Sequence, residues 1–440
     1  MKLKVFQSGK GDCLQVTSGD GTKRILVDGG MCDAYKEFVA PAMGDLATAQ
    51  KAIDLVYVSH IDEDHISGIL QLLDDKVSWT VHDFQLQNNN PAHPEPKSPR
   101  PPKVKDIWHN AFHAMVEENI DEITDLLAAS ASILSGSSDF EFKEIAIQQN
   151  QLATSIPQAI QVSRRISNDQ LGIPLNRQFN GKLAFISNDD LPPHPPIQMG
   201  PLNVYVIGPF DKDLDKLRHD WNKWLKNNRE ALEKLEKKAQ RDAERLGTSD
   251  ALTLLNLRLA QAQELGDRSK VTPPNLASLM VLIEENNKTL LLTGDGHSDD
   301  ILKGLKYHGK LDAENRIHVN VLKVQHHGSE NNINEYFVSK VTADGYIFCG
   351  NGEHMNPDLK ALNIIIESRL GAVNFHADNP QATGSFKLWF NSSESASKKS
   401  DAKFHMREVK NLVAEREISS DGRMSTEFLE EKNPYFELVI

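Results

Sequence analysis

Leu55-Val56-Tyr57-Val58-Ser59-His60-Ile61-Asp62-Glu63-Asp64-His65 decides the reading of this chain: an apolar run ends in four metal-binding side chains within six residues. The run reads as a buried strand, and Ile66 to Leu73 continues as a helix. His60 and Asp62 are two apart, so an extended loop projects both to the same side. Asp64 and His65 follow at once and can turn towards a second point nearby. That spacing suits two adjacent cations better than one. Such a pair generates hydroxide from water and clamps a transferring oxyanion. The competing reading is a polar helix cap, because Asp is common at helix starts.

Two further strand ends carry ligands. Leu290-Leu291-Leu292-Thr293-Gly294-Asp295 delivers a carboxylate, and Leu322-Lys323-Val324-Gln325-His326-His327-Gly328-Ser329 delivers two imidazoles. Donors gathered from several strand ends onto one sheet edge would give a rigid dinuclear site.

With Gly9-Lys10-Gly11-Asp12, Leu26-Val27-Asp28-Gly29-Gly30 and Asn275 to Leu279, these motifs resemble, in order, the metallo-β-lactamase superfamily, and within it the ComEC-like branch. The resemblance covers roughly half the chain and leaves out the helical insertions and the tail. It implies an α/β fold, an αββα sandwich with helical insertions. It also implies that Asp295 bridges two divalent ions, with His60 and Asp62 on one and Asp64 and His65 on the other. One of His326 and His327 would complete the second site, and its neighbour would face a substrate oxyanion. Asp62 stands where the wider superfamily has a second His, and Asn275 where it has a later one. Those exchanges harden the donor set, which favours Mn²⁺ or Mg²⁺ relative to Zn²⁺; two divalent ions are expected, Mn²⁺ or Zn²⁺, with Mg²⁺ an option.

The pattern of the rest divides the chain into six stretches. Residues 1–87 and 271–391 read as the two halves of the hydrolase domain, with 191–210 a strand returning to it. Residues 88–190 form a mainly helical insertion that opens with a loop of six prolines over 88–102. Residues 211–270 read as a helical hairpin, because Leu214, Leu217, Trp221, Leu225, Leu232, Leu235 and Ala239 recur at helical spacing. Residues 392–440 are a C-terminal extension that ends in a strand-like run, Tyr435 to Ile440.

Lys and Arg number 49 against 62 Asp and Glu, for a net charge of −13, which argues against broad, non-specific duplex binding. No apolar run approaches a membrane span, and no signal-peptide core is expected at the start. Three cysteines, Cys13, Cys32 and Cys349, make neither a zinc knuckle nor a disulfide framework, so a cytoplasmic setting is expected.

Asp64, His326 and His354 are the candidate catalytic groups. His60, Asp62, Asp64, His65, Asp295, His326 and His327 are the candidate metal ligands. Asp28, Asn275, His297, Ser329 and His376 are candidates for substrate contact or ligand support. His109 and His113, one helical turn apart, form a weaker pair with no third ligand in view. The function expected is hydrolysis of a phosphodiester, in a nucleic acid or a smaller molecule, by metal-activated hydroxide. The alternatives are hydrolysis of a small ester, lactone or phosphoester, and a non-enzymatic role in a bacterial defence assembly, with protein partners docking on the insertions.

Overall fold

The computed structural model describes residues 1–110, 158, 161–163, 165–168, 170–187, 193–211, 278–371 and 380–440. Asn275, His376, His113 and nearly all of the expected helical hairpin lie outside the described residues.

Two sheets face each other. One has six strands in the order β14-β1-β2-β3-β4-β5, the other eight in the order β13-β12-β11-β10-β9-β8-β7-β6. The first comprises β1 (Lys2–Phe6), β2 (Leu14–Thr17), β3 (Arg24–Val27), β4 (Leu55–Tyr57), β5 (Ile107–Trp108) and β14 (Tyr435–Val439). The second comprises β6 (Ile197–Met199), β7 (Leu202–Gly208), β8 (Met280–Glu285), β9 (Lys288–Leu292), β10 (Ile317–Lys323), β11 (Val341–Phe348), β12 (Phe386–Phe390) and β13 (Met424–Phe428).

Strand periodicity sorts the apolar side chains into three cores. Ile25, Val27, Leu55 and Tyr57 meet Val281, Ile283, Leu290 and Leu292 between the sheets. Their neighbours Leu26, Val56 and Val58 point the other way and pack against Met43, Ile66, Ile69 and Leu73, from the helices α1 (Ala40–Thr48) and α2 (Glu63–Gln87). Met280, Leu282, Leu291 and Leu322 likewise pack beneath α3 (Ser298–Tyr307), α4 (Glu335–Lys340), α5 (Leu359–Leu370) and α6 (Ser400–Ile418). Both faces of each sheet are therefore covered over much of their area, which explains strands that read as continuous apolar runs. The result is the expected αββα sandwich.

Several details differ from the sequence reading. Helix α2 continues 14 residues beyond Leu73, with Trp79 and His82 still buried. His109 is not on a helix; it directly follows β5, which pairs in parallel with β4. Strands β12 and β13 extend the second sheet, and β14 pairs with β1, so the last residues contribute to both sheets. Among the described residues no helix is long and apolar enough to cross a membrane.

Strand direction makes the site. Strands β3, β4 and β5 run parallel in one sheet, and β9 to β13 run parallel in the other. Asp28, His60, Asp295 and His326-His327 all lie just beyond the carboxyl ends of such strands, where open α/β sheets place their ligands. The two edges are tied together there by a hydrogen bond from the Leu279 amide to the Ser59 carbonyl, at 2.8 Å.

Candidate metal centre

The backbone is forced into unusual conformations where it aims these side chains. His326 and His327 are consecutive non-glycine residues at φ 45° and 56°, and Asp28 has φ 53°. Left-handed backbone of this kind costs about 1–3 kcal/mol per residue and persists only where its surroundings impose it. At the start of α2, Asp62 occupies the cap position with extended backbone, yet its side chain makes no capping hydrogen bond. Its carboxylate instead lies 3.6 Å from His60 Nε2. The cap reading therefore accounts for the backbone of this residue and not for its side chain.

Four imidazoles converge on one oxygen. The Nε2 atoms of His60 and His65 each lie 3.5 Å from Asp295 Oδ2, with those of His327 and His326 at 3.6 Å and 3.7 Å. On the far side, each Nδ1 faces a protein oxygen. His60 meets Ser59 Oγ at 3.0 Å, His65 meets Asp28 Oδ2 at 3.0 Å, and His326 meets Asn332 Oδ1 at 2.6 Å. His327 Nδ1 lies 3.2 Å from Asp12 Oδ1, a charge contact rather than an aligned hydrogen bond.

These separations fit cations. Atoms sharing a tetrahedral ion with bonds of roughly 2.1 Å sit about 3.4 Å apart, whereas N–H···O hydrogen bonds fall near 2.9 Å. His60 Nε2, His65 Nε2 and Asp295 Oδ1 are buried with no hydrogen-bond partner among the described residues. Buried polar atoms left in that state are costly, and a shared ion would satisfy them. Imidazole and carboxylate donors together suit zinc or a harder divalent ion.

Asp12, His65, Asp295 and His327 offer ligand atoms that all lie within 4.8 Å of one another. Asp12 is the least available of the four, because Lys323 pairs with its Oδ2 while its Oδ1 faces His327. It is placed to orient a ligand, as Asp28 is for His65. Lys323 also donates to the Gly294 carbonyl at 3.0 Å and lies 3.7 Å from Asp295 Oδ1.

Charge in this pocket is balanced inside it. Burial opposes ionisation of Asp295, but His327, His65, His326 and His60 hold its carboxyl well below the usual range. Asp12 and Asp64 are likewise buried and likewise held low, Asp12 chiefly by Lys323 and Asp64 chiefly by its contact with His327. Burial disfavours imidazolium, yet Asp295, Asp28 and Asp12 raise His65 well above its ordinary value. His327 is raised to about 9 in the same way, with Asp295 first among the carboxylates responsible. Lys323 is raised too, by Asp12 and Asp295 acting against burial.

The other expected residues divide. Ser329 is buried at the end of the His326-His327 turn and donates its amide to the His326 carbonyl at 2.8 Å. His297 is buried at the start of α3, where its ring accepts from the Asp299 amide at 3.3 Å, as a helix cap does. His354 is exposed on a short turn after β11, at φ 57°. Asp12, Ser59, Lys323 and Asn332 were missed as site residues. A lysine inside the apolar run Val319 to Val324 is the one signal that could have flagged a buried partner.

Two layered sheets with helices outside, and this cluster on one edge, have the architecture of a metallo-beta-lactamase-like fold. Residues 10–81 match the family model of the metallo-beta-lactamase superfamily. The matched stretch holds Asp12, Asp28 and the His60 to His65 cluster; Asp295 and His326-His327 lie beyond it. No curated protein matches the chain.

Proposed function

We propose that the chain is a divalent-metal-dependent hydrolase of phosphodiesters, of the ComEC-like kind, acting on a nucleic acid or a smaller diester. The observation that carries the metal reading is the convergence of four Nε2 atoms on Asp295 Oδ2, each ring held from behind. In this reading His60 and Asp62 would hold one cation, and Asp64, His65 and His327 a second, with Asp295 serving both; the 3.3 Å separation of Asp64 Oδ2 from His327 Nε2 supports the second grouping. His326, whose side chain is 21% exposed, is the imidazole left to face a substrate oxygen.

When bound, the cations supply Lewis acidity and an activated water. The chain's own work is to fix the donors. Asp28 and Asp12 hold the Nδ1 sides of His65 and His327, which leaves both Nε2 lone pairs facing inward. Asn332 does the same for His326 and ties its own amide to the Asp295 carbonyl at 2.8 Å. Three carboxylates among the candidate ligands favour a hard cation, and a hard cation suits a phosphoryl oxygen.

The test is turnover of single-stranded DNA, duplex DNA, RNA and bis-p-nitrophenyl phosphate by wild type and Asp64→Ala under Mn²⁺, Mg²⁺ and Zn²⁺. Metal-dependent cleavage by wild type, abolished in the variant, is expected. Equal activity of the two proteins would sink the mechanism.

A further inference from the structure

Two loops flank the Asp64–His327 contact, one on each side. The loop Gly9 to Asp12 presses on Asp64 so closely that a Cβ at Gly11 would fall 1.8 Å from the Asp64 carbonyl oxygen. Only glycine fits there, and the approach carries Asp12 into the cluster and leaves Lys10 on its rim. The loop after β11 passes His327, where a Cβ at Gly350 would lie 3.5 Å from the His327 Cβ. It continues to His354 and Met355, both exposed non-glycine residues in left-handed conformation, at φ 57° and 62°. Strain of this kind persists only where the surroundings impose it, and it clusters at active sites and ligand clamps.

The rim these loops form holds an uncompensated positive charge. Among the described residues no carboxylate lies within ion-pair distance of Lys10, and Glu353, on the other loop, is engaged by Lys399. Electrostatics agree: Lys10 is among the charges that hold the Asp64 and Glu353 carboxyls low against burial, and it adds to burial in holding His354 below its ordinary value. The Gly11–Asp64 contact thus sets Lys10 beside the Asp64 side of the cluster, with no ion pair to a described carboxylate.

We infer that Lys10, with His354 across the rim, binds an anionic non-bridging oxygen of a phosphate group seated over the Asp64–His327 side of the site. The inference rests on the phosphodiester reading and names what that reading lacks, a charge partner for the substrate outside the ligand set. A neutral ester or lactone has no use for this ammonium. A phosphate oxygen gains a charge-assisted hydrogen bond from it, of the kind lysine supplies as a point charge.

Binding of inorganic phosphate to the Mn²⁺-loaded full chain tests this by calorimetry, with wild type, Lys10→Met and Lys10→Arg compared and metal per chain measured alongside. Phosphate should bind Lys10→Met about tenfold more weakly, the loss expected for one charged hydrogen bond. Lys10→Arg should retain most of the affinity, and all three proteins should hold equal metal. Unchanged affinity in Lys10→Met, or no saturable phosphate binding in wild type, would overturn the inference. Metal lost from Lys10→Met would also overturn it, since the residue would then act through Asp12 or Asp64. Turnover of bis-p-nitrophenyl phosphate separates the two readings. Phosphate held through Lys10 without diester cleavage leaves the anion site and removes the proposed function; cleavage with KM unchanged in Lys10→Met does the reverse.

Discussion

His327 and His109 are the same residue type, both fully enclosed and both just beyond the end of a strand on the same side of their sheets, yet their chemistry diverges. His327 faces Asp12, Asp64 and Asp295 and is raised to about 9. His109 has no carboxylate among its described contacts; Asn176 holds only its backbone, and burial pushes the imidazole down to about 4. Both its ring nitrogens lack a hydrogen-bond partner among the described residues. Burial without a carboxylate nearby thus favours a neutral imidazole. Burial among convergent carboxylates makes a group whose proton a cation can replace.

Breaking the carboxylate side of the contrast should have the largest effect. Asp295→Ala removes the oxygen on which all four Nε2 atoms converge, so hydrolysis should fall to the level of chelator-treated wild type. Activity retained at half of wild type or more would refute the convergence argument. Lys323→Met comes next. It leaves Asp12 buried without its cation, and stripping one partner from such a pair costs roughly 3–5 kcal/mol. Urea unfolding of the metal-free protein measures this, and a cost below about 1 kcal/mol would mean that Asp12 is balanced by the imidazoles alone.

The histidines can then be separated by pH. His109 has a folded value near 4 against about 6.5 unfolded, so the unfolded chain takes up a proton that the folded one refuses. Its effect is absent above the unfolded value, and stability is lost as pH falls from about 6.5 towards 4. His109→Leu should therefore remove roughly 2 kcal/mol of the stability lost between pH 7 and pH 5. Identical pH profiles for wild type and variant would contradict that. His327 has the opposite sign: in the metal-free protein its contribution is full below about 6.5 and is lost as pH rises through about 9. Metal loading at pH 7 should accordingly release protons, seen as a dependence of the calorimetric heat on buffer ionisation enthalpy. Equal heats in Tris and Hepes would show that His327 is already neutral.

Much of the candidate cluster was legible because each motif sits where an apolar run stops, and a run that stops marks a strand end. His60, Asp62, Asp64, His65, Asp295 and His326-His327 all follow that rule. Asp12 does not announce itself in the same way, because its role depends on a glycine letting its loop lie flat on Asp64. Asn332 acts from a turn with no periodicity at all. Which of His326 and His327 turns inward depends on two left-handed residues, and linear spacing cannot express that. In the fold, β5 escaped notice because it is two residues long and follows a proline-rich loop. The end of α2 escaped because Asp74 to Gln87 is polar except at Trp79 and a few other positions, so its buried face is narrow. Strand β12 buries alternate residues, but Trp389 at a half-buried position blurs that alternation in the sequence, and β13 buries only Met424.

The most direct measurement is metal per chain, by plasma mass spectrometry after Mn²⁺ loading and desalting, on wild type, His65→Leu and His109→Leu. About two ions per chain in wild type and in His109→Leu, with loss of at least one in His65→Leu, is the predicted result. Equal metal in all three proteins, or loss confined to His109→Leu, would contradict the central claim that convergence on Asp295, and not burial, makes the metal centre.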